Sequence, residues 1–165
     1  MALIDLERAV LSICFQARPP EAALRALGER DRWLLYRELT RGRLLREIQF
    51  ALPRSCAALG DAHLQRAFVA HLDRDPPRTR FFREVVTAFA RSALRTLEGE
   101  AGLPSYALDL LRYEAALWEV SDLEAAAVSD VADFSFERVP VVTPALRLLH
   151  VKHAVHLPAA SEASC

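Results

Sequence analysis

The sequence predicts a mainly helical protein of the α+β class. We expect six to eight helices, with a helix–turn–helix-like pair among them, and a small β-hairpin at the C-terminal end. Through roughly the first 120 residues, apolar side chains recur at the three- and four-residue spacing of amphipathic helices. Glycine is scarce, with 5 in 165 residues, which also favours helices. Further along the chain the pattern changes to alternation with period two, which is typical of a strand.

The first two helices are bounded by proline and glycine. Apolar residues at helical spacing begin at Leu3, and Pro19-Pro20 ends this first pattern. A short second helix starts near Glu21 and ends at Gly28, a residue common just past helix ends. Asp31 is expected to cap the helix that follows.

The segment from 32 to 52 carries two apolar faces. Leu35, Tyr36 and Leu39 form the first, and a second follows from Leu44 to Ile48. At about 100° per residue these faces differ by roughly 150°. One straight helix cannot bury both against the same neighbour. The sequence therefore predicts a break at positions 40–42, which gives the helix–turn–helix-like pair.

Four more helical patterns complete the predicted body. They are a short helix from Ser55 to Gly60, one opened by Asp61, one capped by Thr79 and one capped by Ser105. Together they supply the apolar residues of a single core, and 52% of the chain is hydrophobic. We expect one domain over residues 1–157.

The C-terminal part predicts a two-stranded element at about residues 133–157. Positions 134–139 alternate between apolar and polar residues, and Pro140 and Pro144 bracket a turn. Positions 146–157 are rich in branched residues and read as the second strand. Residues 158–165 are predicted to be a disordered tail.

Composition and charge argue against several classes of function. The formal net charge of −1 does not favour nucleic-acid binding, which usually needs a positive excess. No apolar run approaches the roughly 20 residues of a membrane span. The N-terminus lacks the pattern of a secretory signal, and the three cysteines share no paired spacing. We therefore expect a cytoplasmic protein without membrane contact.

No pattern in the sequence indicates a catalytic or metal centre. The glycine-rich phosphate loop and the usual nucleophile and zinc-protease motifs are absent from the sequence. His150, His153 and His156 would point to both faces of a strand, so they cannot converge on one ion. Glu114, on an apolar helix, is expected to be a paired structural carboxylate. We expect neither a catalytic residue nor a cofactor in this chain.

Two groups of residues are candidates for binding. Arg37, Arg41, Arg43 and Arg46 form a local basic concentration that suits a phosphate, a carboxylate or an acidic partner, although a merely solvated face is the alternative. The edge of the hairpin could instead accept an extended peptide, unless it packs on the helices. The side chains that would contact this peptide are Phe134, Phe136, Arg138, Leu146, Leu148 and His150.

The order of these motifs resembles one bacterial family. The similarity covers about residues 30–157 and rests on DRWLLYR at 31–37, LLRE at 44–47, FFREV at 81–85, LRYE at 111–114 and FSF at 134–136. In these features the chain is similar to the DNA-binding-domain family of the HvfC N-terminal type. That family includes the MbnC-like and TglI-like partner proteins of ribosomal peptide natural-product biosynthesis.

The resemblance implies a partner protein rather than an enzyme. Such proteins pair with an MbnB-like or TglH-like TIM-barrel enzyme that depends on iron and modifies cysteines of a ribosomally made precursor peptide. The small protein helps to recruit the leader peptide, whereas the iron and the catalytic residues belong to the barrel. The alternative is a DNA-binding transcriptional regulator that uses the region between Arg37 and Arg46.

Overall fold

A computed structural model describes residues 3–79, 81–121 and 146–157, and this part of the chain contains six α-helices. In chain order they are α1 (Leu3–Phe15), α2 (Glu21–Leu27), α3 (Arg30–Ala51), α4 (Pro53–Arg74), α5 (Phe82–Leu97) and α6 (Ala107–Val120). Helices hold 72% of the described residues, which confirms the prediction of a mainly helical protein.

The core lies where α4, α5 and α6 pack on one another, with α3 closing one side. Phe68 of α4 and Phe89 of α5 fill its centre and are fully buried. Val85, Val86 and Ala93 extend the buried stripe of α5 at the spacing that the sequence predicts. Each large side chain removed from water contributes about 1.5–3 kcal/mol to the stability of the fold. The two short helices, α1 and α2, pack against α3.

α4 changes direction at Gly60, where the sequence predicts the junction of two helices. Gly60 has φ 67° and ψ 164°, a conformation that is nearly restricted to glycine. The residues on either side keep helical geometry, so the two predicted helices form one element with a kink. The expected break at Gly60 is confirmed.

α3 is continuous from Arg30 to Ala51, so the predicted break at 40–42 and the helix–turn–helix-like pair are wrong. Leu44 and Ile48 are buried against the core, whereas Leu35 and Leu39 are exposed. The prediction assumed that both apolar faces had to be buried within the chain. In the structure only one face is buried, and the opposite face stays in water.

The described part of the C-terminal region contains no strand, so the predicted second strand over 146–157 is wrong. Leu146, Leu148 and His150 lie in an irregular, exposed segment. The first predicted strand, with Phe134, Phe136 and Arg138, lies outside the described residues, as does the predicted tail at 158–165.

Side chains of the helical body hold the segment from 152 to 157. Asp109 Oδ2 on α6 accepts hydrogen bonds from the backbone N–H groups of Lys152 and His153, at 2.8 and 3.2 Å. Arg54 on α4 donates to the carbonyl oxygen of Val155 at 2.9 Å, and the Val155 side chain is buried. These side chains thus supply hydrogen-bond partners for three backbone groups that a neighbouring strand would otherwise pair.

Candidate functional site

Two of the four candidate arginines stabilise the end of α1. Arg37 is buried and its guanidinium donates to the carbonyl oxygens of Ile13, Cys14 and Ala17. The last carbonyls of a helix have no partner within the helix, so these bonds fill a need of α1. Arg37 thus serves the fold and is not available to a partner.

Arg41 lies one turn further along α3 on the same inner side. It donates to the carbonyl oxygen of Phe15 at 3.4 Å, and its guanidinium lies 5.7 Å from the centre of the Phe68 ring. Burial, together with the positive charge of Arg37, lowers the pKa of Arg41. The predicted basic patch is therefore divided, with Arg37 and Arg41 facing inward and Arg43 and Arg46 facing outward.

The outward face of α3 carries large apolar side chains in contact with water. Leu35 is 61% exposed, Tyr36 52%, Leu39 61% and Phe50 80%. Arg43 and Arg46 lie between them along the helix, and both are exposed. We call these six residues the outer stripe of α3: Leu35, Tyr36, Leu39, Arg43, Arg46 and Phe50.

A cleft of about 590 Å³ runs beside the first half of the outer stripe. Its walls come from Tyr36 and Leu39 of α3 on one side, and from Pro77, Thr79 and Phe82 before and within the first turn of α5 on the other. A second depression continues along the stripe and is lined by Arg43, Arg46, Glu47 and Phe50. Arg43 borders both depressions, and we refer to the two together as the groove.

The side chains that line this groove include two arginines and one glutamate, so the groove carries a net positive charge. Arg43 stacks on the ring of Phe82, with 5.0 Å between the guanidinium carbon and the ring centre. This arrangement holds the arginine in place through a cation–π contact without using its hydrogen-bond donors. Within the described residues, neither Arg43 nor Arg46 forms an ion pair, and Glu47 is an acidic neighbour in the groove.

The carboxylates within the core serve structure. Glu114 of α6 accepts hydrogen bonds from the backbone N–H groups of Arg54 and Ser55, and also from the Ser55 hydroxyl at 2.6 Å. It therefore caps the N-terminus of α4, which confirms the prediction of a paired structural carboxylate. Asp109 accepts from Arg112 at 2.9 Å in addition to its bonds to the C-terminal segment.

The described cysteines lie inside the protein, away from the groove. Cys14 and Cys56 are both buried with free thiols. Burial, with a smaller contribution from the nearby Glu114 carboxylate, raises the pKa of Cys56 to about 12. Burial also raises the pKa of Cys14. A thiol that stays protonated at neutral pH is a poor nucleophile.

The three C-terminal histidines do not lie in one cluster. His153 Nδ1 is bonded to Asp109 Oδ2 at 2.8 Å, whereas His150 and His156 are exposed. Over the part of the chain that the structure describes, no group of three or more histidine, cysteine or acidic side chains could hold a metal ion. That this chain carries neither metal nor cofactor stays a prediction.

The sequence indicated Arg43 and Arg46 as candidates, but it predicted Leu35, Tyr36 and Leu39 to be buried rather than exposed beside them. The pattern that could have revealed them is the angle of roughly 150° between the two apolar faces of α3, from which the sequence analysis predicts a break. An exposed apolar face opposite a buried one is the other solution to the same pattern. Pro77 and Phe82, which form the far wall of the groove, lie 26 or more positions beyond the end of α3, and helical periodicity could not connect them to it.

Comparison with known proteins yields no relative. No protein-family model, no curated protein and no solved structure matches the chain. The family resemblance described above therefore stays a prediction. Among residues 3–79, 81–121 and 146–157, none of the helices combines the length and the apolar character needed to cross a membrane.

Proposed function

We propose that this protein is a non-catalytic partner protein that binds a TIM-barrel, iron-dependent enzyme. In the cytoplasm the pair would form a heterodimer that receives the leader of a ribosomally made precursor peptide, and the enzyme would modify cysteines of that peptide. The observation that carries the proposal is the outer stripe of α3, whose apolar side chains lie in water. The sequence resemblance over about residues 30–157 supports the class of partner.

Apolar side chains in contact with water are energetically unfavourable, and this favours a docking role for the outer stripe. Single exposed apolar residues are ordinary, but several on one helix face beside a groove are typical of an interaction site. Tyr36 and Phe50 are aromatic, and Arg43 and Arg46 are arginines, the residue types that most often dominate binding energy at interfaces. Arg37, Asp109 and Glu114, which are buried, are meanwhile occupied by hydrogen bonds within the fold.

The segment 146–151 is irregular, so it cannot recruit the leader peptide as a strand. Leu146, Leu148 and His150 are exposed but have no strand edge to offer. Contacts of the peptide with Phe134, Phe136 and Arg138 stay a prediction.

A DNA-binding regulator is supported less well by the same residues. That reading needs a second helix of a helix–turn–helix pair and a row of arginines that reaches phosphates. α3 is one continuous helix, and Arg37 and Arg41 donate to the carbonyls of α1. Of the four candidate arginines only Arg43 and Arg46 are exposed, and a net charge of −1 leaves little electrostatic attraction for a duplex.

Co-expression tests the proposal directly. A tagged copy of this chain is produced together with a TIM-barrel enzyme of the MbnB-like or TglH-like kind and its precursor peptide, and the mass of the isolated complex is measured by light scattering. We expect a one-to-one heterodimer that retains the peptide. Failure of the folded protein to bind the enzyme would overturn the proposal, and tight binding of random duplex DNA at about 150 mM salt would favour the regulator.

Leu39→Asp, with Leu117→Asp as its control, shows whether the complex uses the outer stripe. The two leucines have similar exposure, 61% and 52%, and both lie on helices, but Leu117 belongs to α6 and does not line the groove. Aspartate in place of Leu39 should weaken the heterodimer at least roughly tenfold, which corresponds to about 1.4 kcal/mol. The Leu117 variant should bind as the natural chain does.

A further inference from the structure

Five residues of the outer stripe follow one another at the spacing of a helix–helix seam. Tyr36, Leu39, Arg43, Arg46 and Phe50 are separated by three, four, three and four positions. This alternation places all five along one line of the helix surface, as in the contact line of a two-stranded coiled coil. At 1.5 Å per residue the line is about 21 Å long.

The chemistry along this line is not uniform. Apolar side chains stand at both ends, Tyr36 and Leu39 at one and Phe50 at the other, while Arg43 and Arg46 occupy the centre. The Arg43 guanidinium is held over Phe82 and retains its donors, and neither central arginine is paired with an acid among the described residues. A complementary surface is therefore apolar at its ends and acidic in its middle.

We propose that the outer stripe of α3 receives an amphipathic helix of the partner protein, with acidic side chains at the centre of its contact line and apolar ones at both ends. Carboxylates suit the site because arginine donates to them in a bidentate geometry. The aromatic and leucine side chains at the ends supply the apolar burial that an ion pair in water does not.

A second copy of this chain fits the stripe poorly. In a symmetric antiparallel pair, the centre of one α3 meets the centre of the other. Arg43 would then face Arg43 across the axis, next to Arg46, and like charges held together disfavour the pair. The charge pattern thus selects a partner of different sequence.

This inference rests on the proposed function, since it gives the shape and charge of the surface that docks on this chain. It can be tested without the enzyme, using a designed probe. The probe is an alanine- and glutamine-based helical peptide of about three heptads, fluorescently labelled, with Leu-Leu-Glu-Glu-Leu-Leu at successive seam positions. This order reads the same in both directions, so the probe fits α3 in either orientation. The control peptide has lysine in place of both glutamates.

Binding is measured by fluorescence anisotropy on the full chain at about 150 mM salt, where weak long-range attraction is screened. We expect the glutamate probe to bind at least roughly tenfold more tightly than the lysine probe. In the Arg43→Glu/Arg46→Glu variant the preference should reverse, so that the lysine probe binds better. The variant Arg66→Glu/Arg95→Glu makes the same change of charge away from the groove and should keep the original preference.

Circular dichroism confirms that each variant is folded before it is scored. Equal binding of the two probes, or no binding of the glutamate probe to the folded natural chain, would overturn the inference. Self-association of the chain that Leu39→Asp abolishes would also overturn it. A heterodimer with the barrel enzyme alongside a failed probe would keep the proposed function and reject the helical occupant. Binding of the glutamate probe without formation of the heterodimer would support the helical occupant and reject the proposed function.

Discussion

Glu114 lies on α6, but its carboxylate serves the first turn of α4. It accepts two backbone N–H groups, those of Arg54 and Ser55, and the Ser55 hydroxyl. A helix N-terminus attracts negative charge, and its first N–H groups lack partners within the helix. One buried side chain therefore both caps a helix and joins two elements of the core.

Glu114→Ala should lower the free energy of unfolding by about 2–4 kcal/mol, because hydrogen bonds to a charged group are lost and buried donors are left without partners. Urea denaturation followed by circular dichroism measures this change. The exposed Glu84, changed to alanine, is the control and should cost less than about 0.5 kcal/mol. A Glu114 variant as stable as the control would show that the capping bonds contribute nothing.

His71 is a buried histidine without a hydrogen-bond partner for either ring nitrogen among the described residues. Its ring meets Phe89 edge to face, with 5.9 Å between ring centres. Burial lowers the pKa of His71, Arg95 lowers it further, and Asp75 partly opposes them. The folded protein therefore resists protonation of this ring, whereas the unfolded chain takes up the proton once the pH falls below about 6.5.

The pH dependence of stability follows from that difference. Above about pH 6.5 the ring is neutral in both states and does not affect the balance. As the pH falls below this value, the unfolded state gains the proton first and stability declines, by up to about 1.4 kcal/mol per pH unit for one group. In urea denaturation between about pH 7 and pH 5, His71→Leu should lose less stability than the natural chain. The exposed His156 changed to leucine is the control, and parallel curves for all three proteins would contradict the assignment.

At the scale of elements, α3 and α4 each contain a glycine, but only α4 is kinked at its glycine. Gly60 has positive φ and ψ near 164°, whereas Gly42 is within the regular part of α3. A methyl group at either position would meet no atom within 4 Å, so packing does not distinguish them. Only the backbone conformation does.

Alanine at the two positions should therefore have opposite effects. Gly60→Ala should destabilise the protein by about 1–3 kcal/mol through backbone strain. Gly42→Ala should stabilise it by about 0.5–1 kcal/mol, because alanine favours a helix interior. Thermal and urea denaturation of the two variants give both values. A loss of stability in the Gly42 variant would indicate that α3 is broken near this residue after all.

The two helices also show how far the sequence could predict the fold. The break at Gly60 could be predicted because glycine adopts a backbone conformation that other residues avoid. For α3 the apolar periodicity correctly predicted a helix and its buried residues Leu44 and Ile48. It could not tell whether Leu35 and Leu39 would be buried by the chain or left for a partner, because both outcomes need the same side chains. Because these two outcomes could not be distinguished, the groove could not be predicted from the sequence.

At the scale of the whole molecule, two distant anchors join the C-terminal segment to the helical body. Asp109 holds the N–H groups of Lys152 and His153, which are 43 and 44 positions away. Arg54 holds the carbonyl oxygens of Val155 and Leu157, at separations of 101 and 103 positions. Alternation of apolar residues could not reveal these anchors, because a strand and a segment tied down by side chains share the same local pattern.

The charge of Asp109 sets the pH range of the first anchor. Burial alone would raise the pKa of this carboxyl, but the hydrogen bonds from His153 and the backbone N–H of Lys152 outweigh it and lower the pKa below its usual 3.8. The stabilisation is therefore complete above about pH 4 and is lost as the pH falls through the lower pKa of the folded state. At neutral pH the anchor is fully formed.

Removing that carboxylate should release the segment while leaving the helices in place. In Asp109→Ala the amides of Lys152 and His153 lose their acceptor, so their hydrogen exchange should become at least roughly tenfold faster, whereas amides in the middle of α5 should change far less. Nuclear magnetic resonance of the labelled protein at neutral pH measures both. The exposed Asp61 changed to alanine is the matched control. Unchanged exchange at Lys152 and His153 in the Asp109 variant would mean that Arg54 and the buried Val155 hold the segment by themselves.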